Sequence, residues 1–201
     1  MEASGAPAEA DSRLLRSIDA ALSAGVERFR DRIACRPGCR ECCIGPFPIN
    51  RLDVERLRRG LREMFLRDPA RADRIRRRAR DAVELFAPHF PGDPGSGVLG
   101  AGERAEYAFL RRFESVPCPV LDPESGVCEM YAHRPVACRS FGPPVRFGPD
   151  ELPPCRLCFV GATPQEIEAA RINVDPENHE TWLLTERGLE QTLIAYSLTG
   201  G

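Results

Sequence analysis

Cys42 and Cys43 are neighbours at the end of a run that reads Cys35-Arg-Pro-Gly-Cys39-Arg-Glu-Cys42-Cys43, and five more cysteines follow at 118, 128, 138, 155 and 158. These nine thiols constrain the fold more than any other feature of the chain. Adjacent cysteines pair with each other only through a strained ring, and an odd count leaves at least one thiol over. The N-terminus, Met1-Glu2-Ala3-Ser4-Gly5-Ala6-Pro7, shows neither the basic start nor the apolar run of a secretory signal. No run of about 18 apolar residues could span a membrane. The expected compartment is therefore the reducing cytoplasm, where a disulfide framework is not expected. Buried structural thiols would explain one or two of the nine, but not their clustering. Metal ligation explains the clustering.

The spacing supports that reading. Two thiolates separated by two residues, with a turn between them, reach one ion at about 2.3 Å without strain. Cys39 and Cys42 have this spacing, and so do Cys155 and Cys158, which follow Pro153-Pro154. Cys35 can join across the Pro37-Gly38 turn. Cys43 is expected to point away from Cys42, because adjacent side chains usually diverge, and so to serve another ion or a distant cysteine group. Cys118 and Cys128 would lie on the two arms of a β-hairpin, with Cys138 on a short helix after Pro135. Nine thiolates leave two arrangements open: two four-sulfur sites with one cysteine over, or one site with spares. Four thiolates suit zinc and iron–sulfur clusters alike, so the cofactor is expected to be one of these. Arg36, Arg40, Arg134, Arg139 and Arg156 are placed to offset the negative charge of such a site.

Periodicity gives the remainder. At 201 residues with 42% hydrophobic content, the chain can bury a core without a metal to compensate for small size. Residues 1–10 read as a disordered leader. Residues 11–201 read as a single domain, with a metal core at about 33–160 and C-terminal helices over 164–198. Leu15, Ile18, Leu22, Val26, Phe29 and Ile33 describe one face of a helix over Ser12–Ile33, capped by Asp11 or Ser12. A second helix is expected from Leu52 to Leu66, burying Val54, Leu57, Leu61 and Met64. Asp68-Pro69 opens a third, with Ala72, Ile75, Ala79, Val83 and Phe86 inward. Residues 87–102 are too rich in Pro and Gly for regular structure, and a short helix follows over Arg104–Phe113. Thr163-Pro164-Gln165-Glu166 is a capping box for a helix over 164–172. Further helices are expected from Asp175-Pro176 and over Thr185–Leu198. The fold class is mostly α with a small β-hairpin, an irregular cysteine-rich metal-binding core packed on helices.

The motifs together carry a resemblance. Cys39-x-x-Cys42-Cys43 with Cys35 upstream, then Cys118-Pro-Val-Leu121, then Gly126-Val-Cys128-Glu-Met-Tyr131-x-x-Arg134-Pro135-x-x-Cys138-Arg139, is similar to the YkgJ-type cysteine-cluster family over about residues 33–160. That family is named for a CxxCxxCC signature and described as zinc- or iron-chelating. Cys35 departs from the signature, with three residues rather than two before Cys39. The resemblance implies a protein that holds zinc or an iron–sulfur cluster. It also implies an alternative, an iron–sulfur-dependent methyl-transfer or redox enzyme akin to the flagellin lysine methylase branch.

Competing readings weigh less. Cys35-x-x-x-Cys39-x-x-Cys42 matches the spacing of radical S-adenosylmethionine enzymes, but Glu41 stands where an aromatic is usual, and the alternating strands and helices of that barrel are missing. His133 is expected to be a partly exposed histidine rather than a ligand. Residues 51–80 hold twelve Arg against five Asp or Glu, while the whole chain carries −2. That run is expected to be a solvated helix face. A nucleic-acid role is disfavoured, and a protein partner is left open.

Overall fold

The computed structural model describes residues 5–200, which fall into two compact units, each built from two stretches of chain. One comprises the chain up to Arg36 together with Val136–Arg187; the other comprises Pro37–Pro135 and Gly188–Gly201.

The first unit is organised on a long helix, α1 (Gly5–Arg28). Leu14, Ile18 and Leu22 recur every four residues and are buried, while Val26 at the same spacing is exposed. The helix begins earlier than its periodicity predicts. Residues 1–4 of the expected leader lie outside the described residues, and residues 5–10 already belong to α1. Pro7 falls in the first turn, where its missing N–H goes unused. Asp11 and Ser12 are consequently interior residues rather than caps, and the Ser12 hydroxyl donates back to the Ala8 carbonyl at 2.8 Å.

A 3₁₀ turn, Arg30–Arg32, leads from α1 toward Cys35. The unit's return segment holds, in order, α5 (Val136–Ser140), β4 (Val145–Phe147), β5 (Asp150–Leu152) and α6 (Pro164–Ala169). Then come β6 (Ile172–Asn173) and α7 (His179–Thr185). β4 is the centre of a three-stranded sheet, antiparallel to β5 and parallel to β6. The capping box is present as expected: the Thr163 hydroxyl accepts from Glu166 N and Glu166 accepts from Thr163 N. α6 ends sooner than expected because Ile172 pairs with Val145 and is buried in the sheet. Asp175 caps α7, accepting from the backbone N–H groups of His179 and Glu180. α5 is tied to α1 by Arg139, whose Nη1 reaches both carboxylate oxygens of Asp19 at 2.8 Å.

The second unit packs three helices together: α2 (Arg51–Arg67), α3 (Pro69–Phe86) and α8 (Ile194–Thr199). Asn50 caps α2 and Asp68 caps α3, each side chain accepting the N–H three residues on. Ala72, Ile75, Ala79 and Phe86 are buried as the sequence predicts, with Ala82 in the place given to Val83, which is half-buried. On α2, Leu57 and Leu61 are buried, but Val54 and Met64 are only half-buried. The inward positions beside them belong instead to Leu52, Gly60 and a charged pair, Asp53–Arg56 at 2.6 Å. α4 (Glu103–Arg112) adds Phe109 to a cluster with Phe86, Phe90, Phe113 and Tyr196, the rings meeting edge-on or tilted.

Two loops expected to be irregular or helical contain strands. β2 (Gly92–Asp93) and β3 (Val98–Leu99) form a minimal hairpin whose turn is fixed by Asp93 Oδ1 accepting from Gly95 N. β7 (Gln191–Leu193) interrupts the helix expected over 185–198 and pairs with β1 (Pro48–Asn50). The fold class is as the sequence indicates, mostly helical with small sheets of two or three strands.

Candidate metal centre

In the second unit a chain of short backbone links gathers four thiols. The segment Glu41–Cys43 is a 3₁₀ turn. Its tight winding places the Sγ atoms of Cys42 and Cys43 at 3.9 Å, on the same side, contrary to the divergence expected of neighbours. From there Cys118 N donates to Cys43 O at 2.8 Å and Gly45 N to Val116 O at 2.7 Å, with a β-bridge between Ile44 and Pro117. Leu121 N donates to Cys118 O, and a second bridge joins Leu121 to Cys128. The hairpin expected over residues 118–131 is thus present as a turn closed by one bridge, with Asp122 accepting from Glu124 N and Ser125 Oγ. Cys42, Cys43, Cys118 and Cys128 lie along this ladder. Cys39 is beside its tip, since a side chain at Gly126 would come within 3.8 Å of Gly38 O.

Arginines of the basic run hold the ladder from outside. Arg78 Nε donates to Pro119 O at 2.8 Å, and its Nη2 binds Glu129, so one guanidinium spans the residues that follow Cys118 and Cys128. Arg71 Nε reaches the other oxygen of Glu129 at 2.7 Å. The Glu129 carboxylate is 5% exposed. Neither Arg71, Arg78 nor Glu129 was legible as part of the site, because these pairings span 41 to 58 residues. The expectation of a solvated face fails at these two arginines and at Arg56.

The thiols of this set feel one another's charge. The hydrogen bond shared with the Cys43 thiol lowers Cys42 to about 6, and the nearby Arg134 guanidinium acts in the same direction. Cys43 is pushed far above the ordinary thiol range by the same bond and by burial. Burial raises Cys118 to about 12 and also raises Cys128. Arg134 is itself stacked on the Tyr131 ring, 3.7 Å from its centroid. His133 packs on Gly60 of α2, and its Nε2 is 3.4 Å from Glu63.

In the first unit Cys35, Cys155 and Cys158 meet around a different element, the Phe141-Gly142 turn that follows α5. Cys35 Sγ is 4.0 Å from Phe141 O. A Cβ on Gly142 would lie 2.7 Å from the same sulfur. Gly142 O accepts from Cys155 N at 2.9 Å, and Cys155 O accepts from Cys158 N at 2.7 Å. Cys158 Sγ in turn accepts from Ala34 N at 3.4 Å. Cys138 lies on α5, three residues before Phe141. Among the described residues no three His, Cys, Asp or Glu side chains already converge on a single point, so in either set the thiols would have to turn to share an ion.

The donor set fits a soft or borderline metal: sulfur predominates, N–H and guanidinium groups lie near it, and among the described residues no hard oxygen cage competes. Among the described residues, no helix is long and apolar enough to cross a membrane. No curated protein and no solved structure matches the chain. The model of the family CxxCxxCC, "putative zinc- or iron-chelating domain", matches residues 34–152. That is more than half of the 201 residues and takes in seven of the nine cysteines, and the chain belongs to this family of metal-chelating domains.

Proposed function

We propose that the chain holds a single zinc or iron ion in the second unit through Cys42, Cys43, Cys118 and Cys128. One observation carries this reading: the 3.9 Å between the Cys42 and Cys43 sulfurs. Four sulfurs arranged tetrahedrally at about 2.3 Å from one ion are about 3.8 Å apart along each edge. A four-iron cluster takes one thiolate per iron and needs its sulfurs farther apart, so the vicinal pair favours one metal atom shared by both sulfurs, and inorganic sulfide separates a lone ion from a two-iron cluster. Cys43, Cys118 and Cys128 hold their protons near neutrality, and metal would bind by displacing them. Arg134 offsets part of the resulting negative charge, while Arg71, Arg78 and Glu129 position the backbone that carries Cys118 and Cys128.

Anaerobic purification with elemental analysis and an absorption spectrum tests this. Colourless protein with stoichiometric zinc, or protein carrying a mononuclear ferrous ion without inorganic sulfide, agrees with the proposal. Stoichiometric inorganic sulfide would replace it with a cluster, and folded protein that takes up neither metal would end it.

A further inference from the structure

We infer that Cys35, Cys138, Cys155 and Cys158 form a second four-thiolate metal site, in the first unit and with its own ion. Cys155 and Cys158 lie beyond the region that matches the family model, so membership of the family does not assign them a role.

Three features of the backbone point to ligation. Cys155-Arg-Leu-Cys158 is closed by the Cys158 N–H on Cys155 O, the tight turn that lets both sulfurs of a two-residue spacing face one ion. The next residue, Phe159, is held at φ +54, a left-handed conformation a bulky side chain seldom adopts. Its N–H donates to Arg32 O at 2.7 Å, which pins the end of the turn to the 3₁₀ segment that leads toward Cys35. Strain of this kind persists where surrounding structure enforces it, and it concentrates at ligand-holding turns. Finally, Ala34 N donates to Cys158 Sγ, the N–H to sulfur bond that stabilises a thiolate once a metal has taken its proton.

Of the remaining two thiols, Cys35 approaches Gly142, and Cys138 lies on the helix that runs into Phe141-Gly142. Gly142 carries contacts to both sides, its carbonyl to Cys155 N and its Cα hydrogen face to Cys35 Sγ, and its φ of +131 with a sulfur 2.7 Å from any Cβ leaves room for glycine alone. Cys138 enters on α5, whose orientation is fixed by the Arg139–Asp19 pair to α1, with Arg139 only 7% exposed. Ligation by all four then accounts for eight of the nine cysteines as two sets of four, and leaves Cys39 over. The preferred ion is one that takes tetrahedral sulfur, zinc or ferrous iron.

The inference rests on the same thiolate chemistry as the first site, but its test separates the two. Reduced, metal-stripped full-length chain is titrated anaerobically with Zn²⁺, and each cysteine's alkylation is read by mass spectrometry. In wild type, Cys35, Cys138, Cys155 and Cys158 should be protected as a group, and elemental analysis should show a second equivalent of zinc. Cys155→Ser with Cys158→Ser should lose that equivalent and the protection of Cys35 and Cys138, while Cys42 and Cys118 stay protected. If Cys155 and Cys158 alkylate at the same rate with and without Zn²⁺ in wild type, the inference is overturned while the first site stands. If the double variant loses all zinc yet keeps its helical circular dichroism, the nine thiols serve one shared site, and the inference is again overturned. No zinc uptake by wild type overturns both sites.

Discussion

The two cysteine sets reach similar chemistry by different routes. In the second unit the thiols follow a ladder of single bridges, from Cys43 to Cys118 and from Leu121 to Cys128, braced by Arg78 and Arg71 on Glu129. Two of its sulfurs already stand at the spacing of one ion's ligands. In the first unit there is no such ladder. The thiols come from separate elements that meet at Gly142, and a Cys-x-x-Cys turn supplies the pair. The contrast is between thiols gathered by strand-like pairing and thiols gathered about one permissive glycine. It also shows where each is weak: the first at its charged brace, the second at its turn.

The largest expected effect separates the sets outright. Cys42→Ser with Cys43→Ser should weaken zinc binding in the second unit by more than about a hundredfold, the upper end of what outer-shell changes cost. Competition against a chromophoric chelator measures it, and a loss under tenfold would contradict the ligand assignment.

Glu129→Gln attacks the brace. Removing the carboxylate leaves Arg71 and Arg78, 41% and 26% exposed, without their charge partner. Because water reaches both, the expected cost is about 2 kcal/mol rather than the larger figure for a fully buried pair. Urea denaturation reads that loss, and zinc affinity should fall roughly tenfold alongside it. Unchanged affinity would mean that the brace does not position Cys118 and Cys128.

Gly142→Ala attacks the turn. A side chain there meets Cys35 Sγ and an unfavourable φ, so a destabilisation of about 1–3 kcal/mol is expected, with protection of Cys35 and Cys155 from alkylation reduced and that of Cys42 unaffected. Thr163→Ala, which removes the α6 capping box but touches neither set, should cost about 1 kcal/mol with zinc uptake intact.

The smallest effect concerns protons. Cys42 is lowered to about 6 by the Cys43 hydrogen bond and by Arg134, so in metal-free protein its alkylation should rise through pH 6 and level off by pH 8. An ordinary thiol would still be rising at about 8.5. Alkylation that keeps climbing past pH 8.5 would remove the paired-thiol description.

Much of this was legible in the sequence where the signal is local. Asp68-Pro69 and Thr163-Pro164-Gln165-Glu166 place their helix starts because a cap needs only residues three apart, and Ala72, Ile75 and Ala79 mark a buried stripe by spacing alone. The cysteines announced metal because burial alone explains one or two thiols but not the clustering of nine. Their sorting was not legible. Whether Cys35 joins Cys39 or Cys155 depends on bonds across more than a hundred residues, such as Ala34 N to Cys158 Sγ. Composition likewise cannot tell a solvated arginine from Arg56, Arg71 or Arg78, which differ only in having a distant or buried carboxylate to meet. β7 and the first residue of β6, Ile172, read as helix in the sequence because two or three residues carry no period, and only their partners make them strands.

X-ray absorption at the metal edge tests the central claim most directly, on anaerobically purified Cys155→Ser, Cys158→Ser protein, in which only the second-unit site should be loaded. The account requires four sulfur neighbours at about 2.3 Å and no second metal close by. Nitrogen or oxygen atoms filling half the shell, or a metal–metal distance of an iron–sulfur cluster, would contradict it.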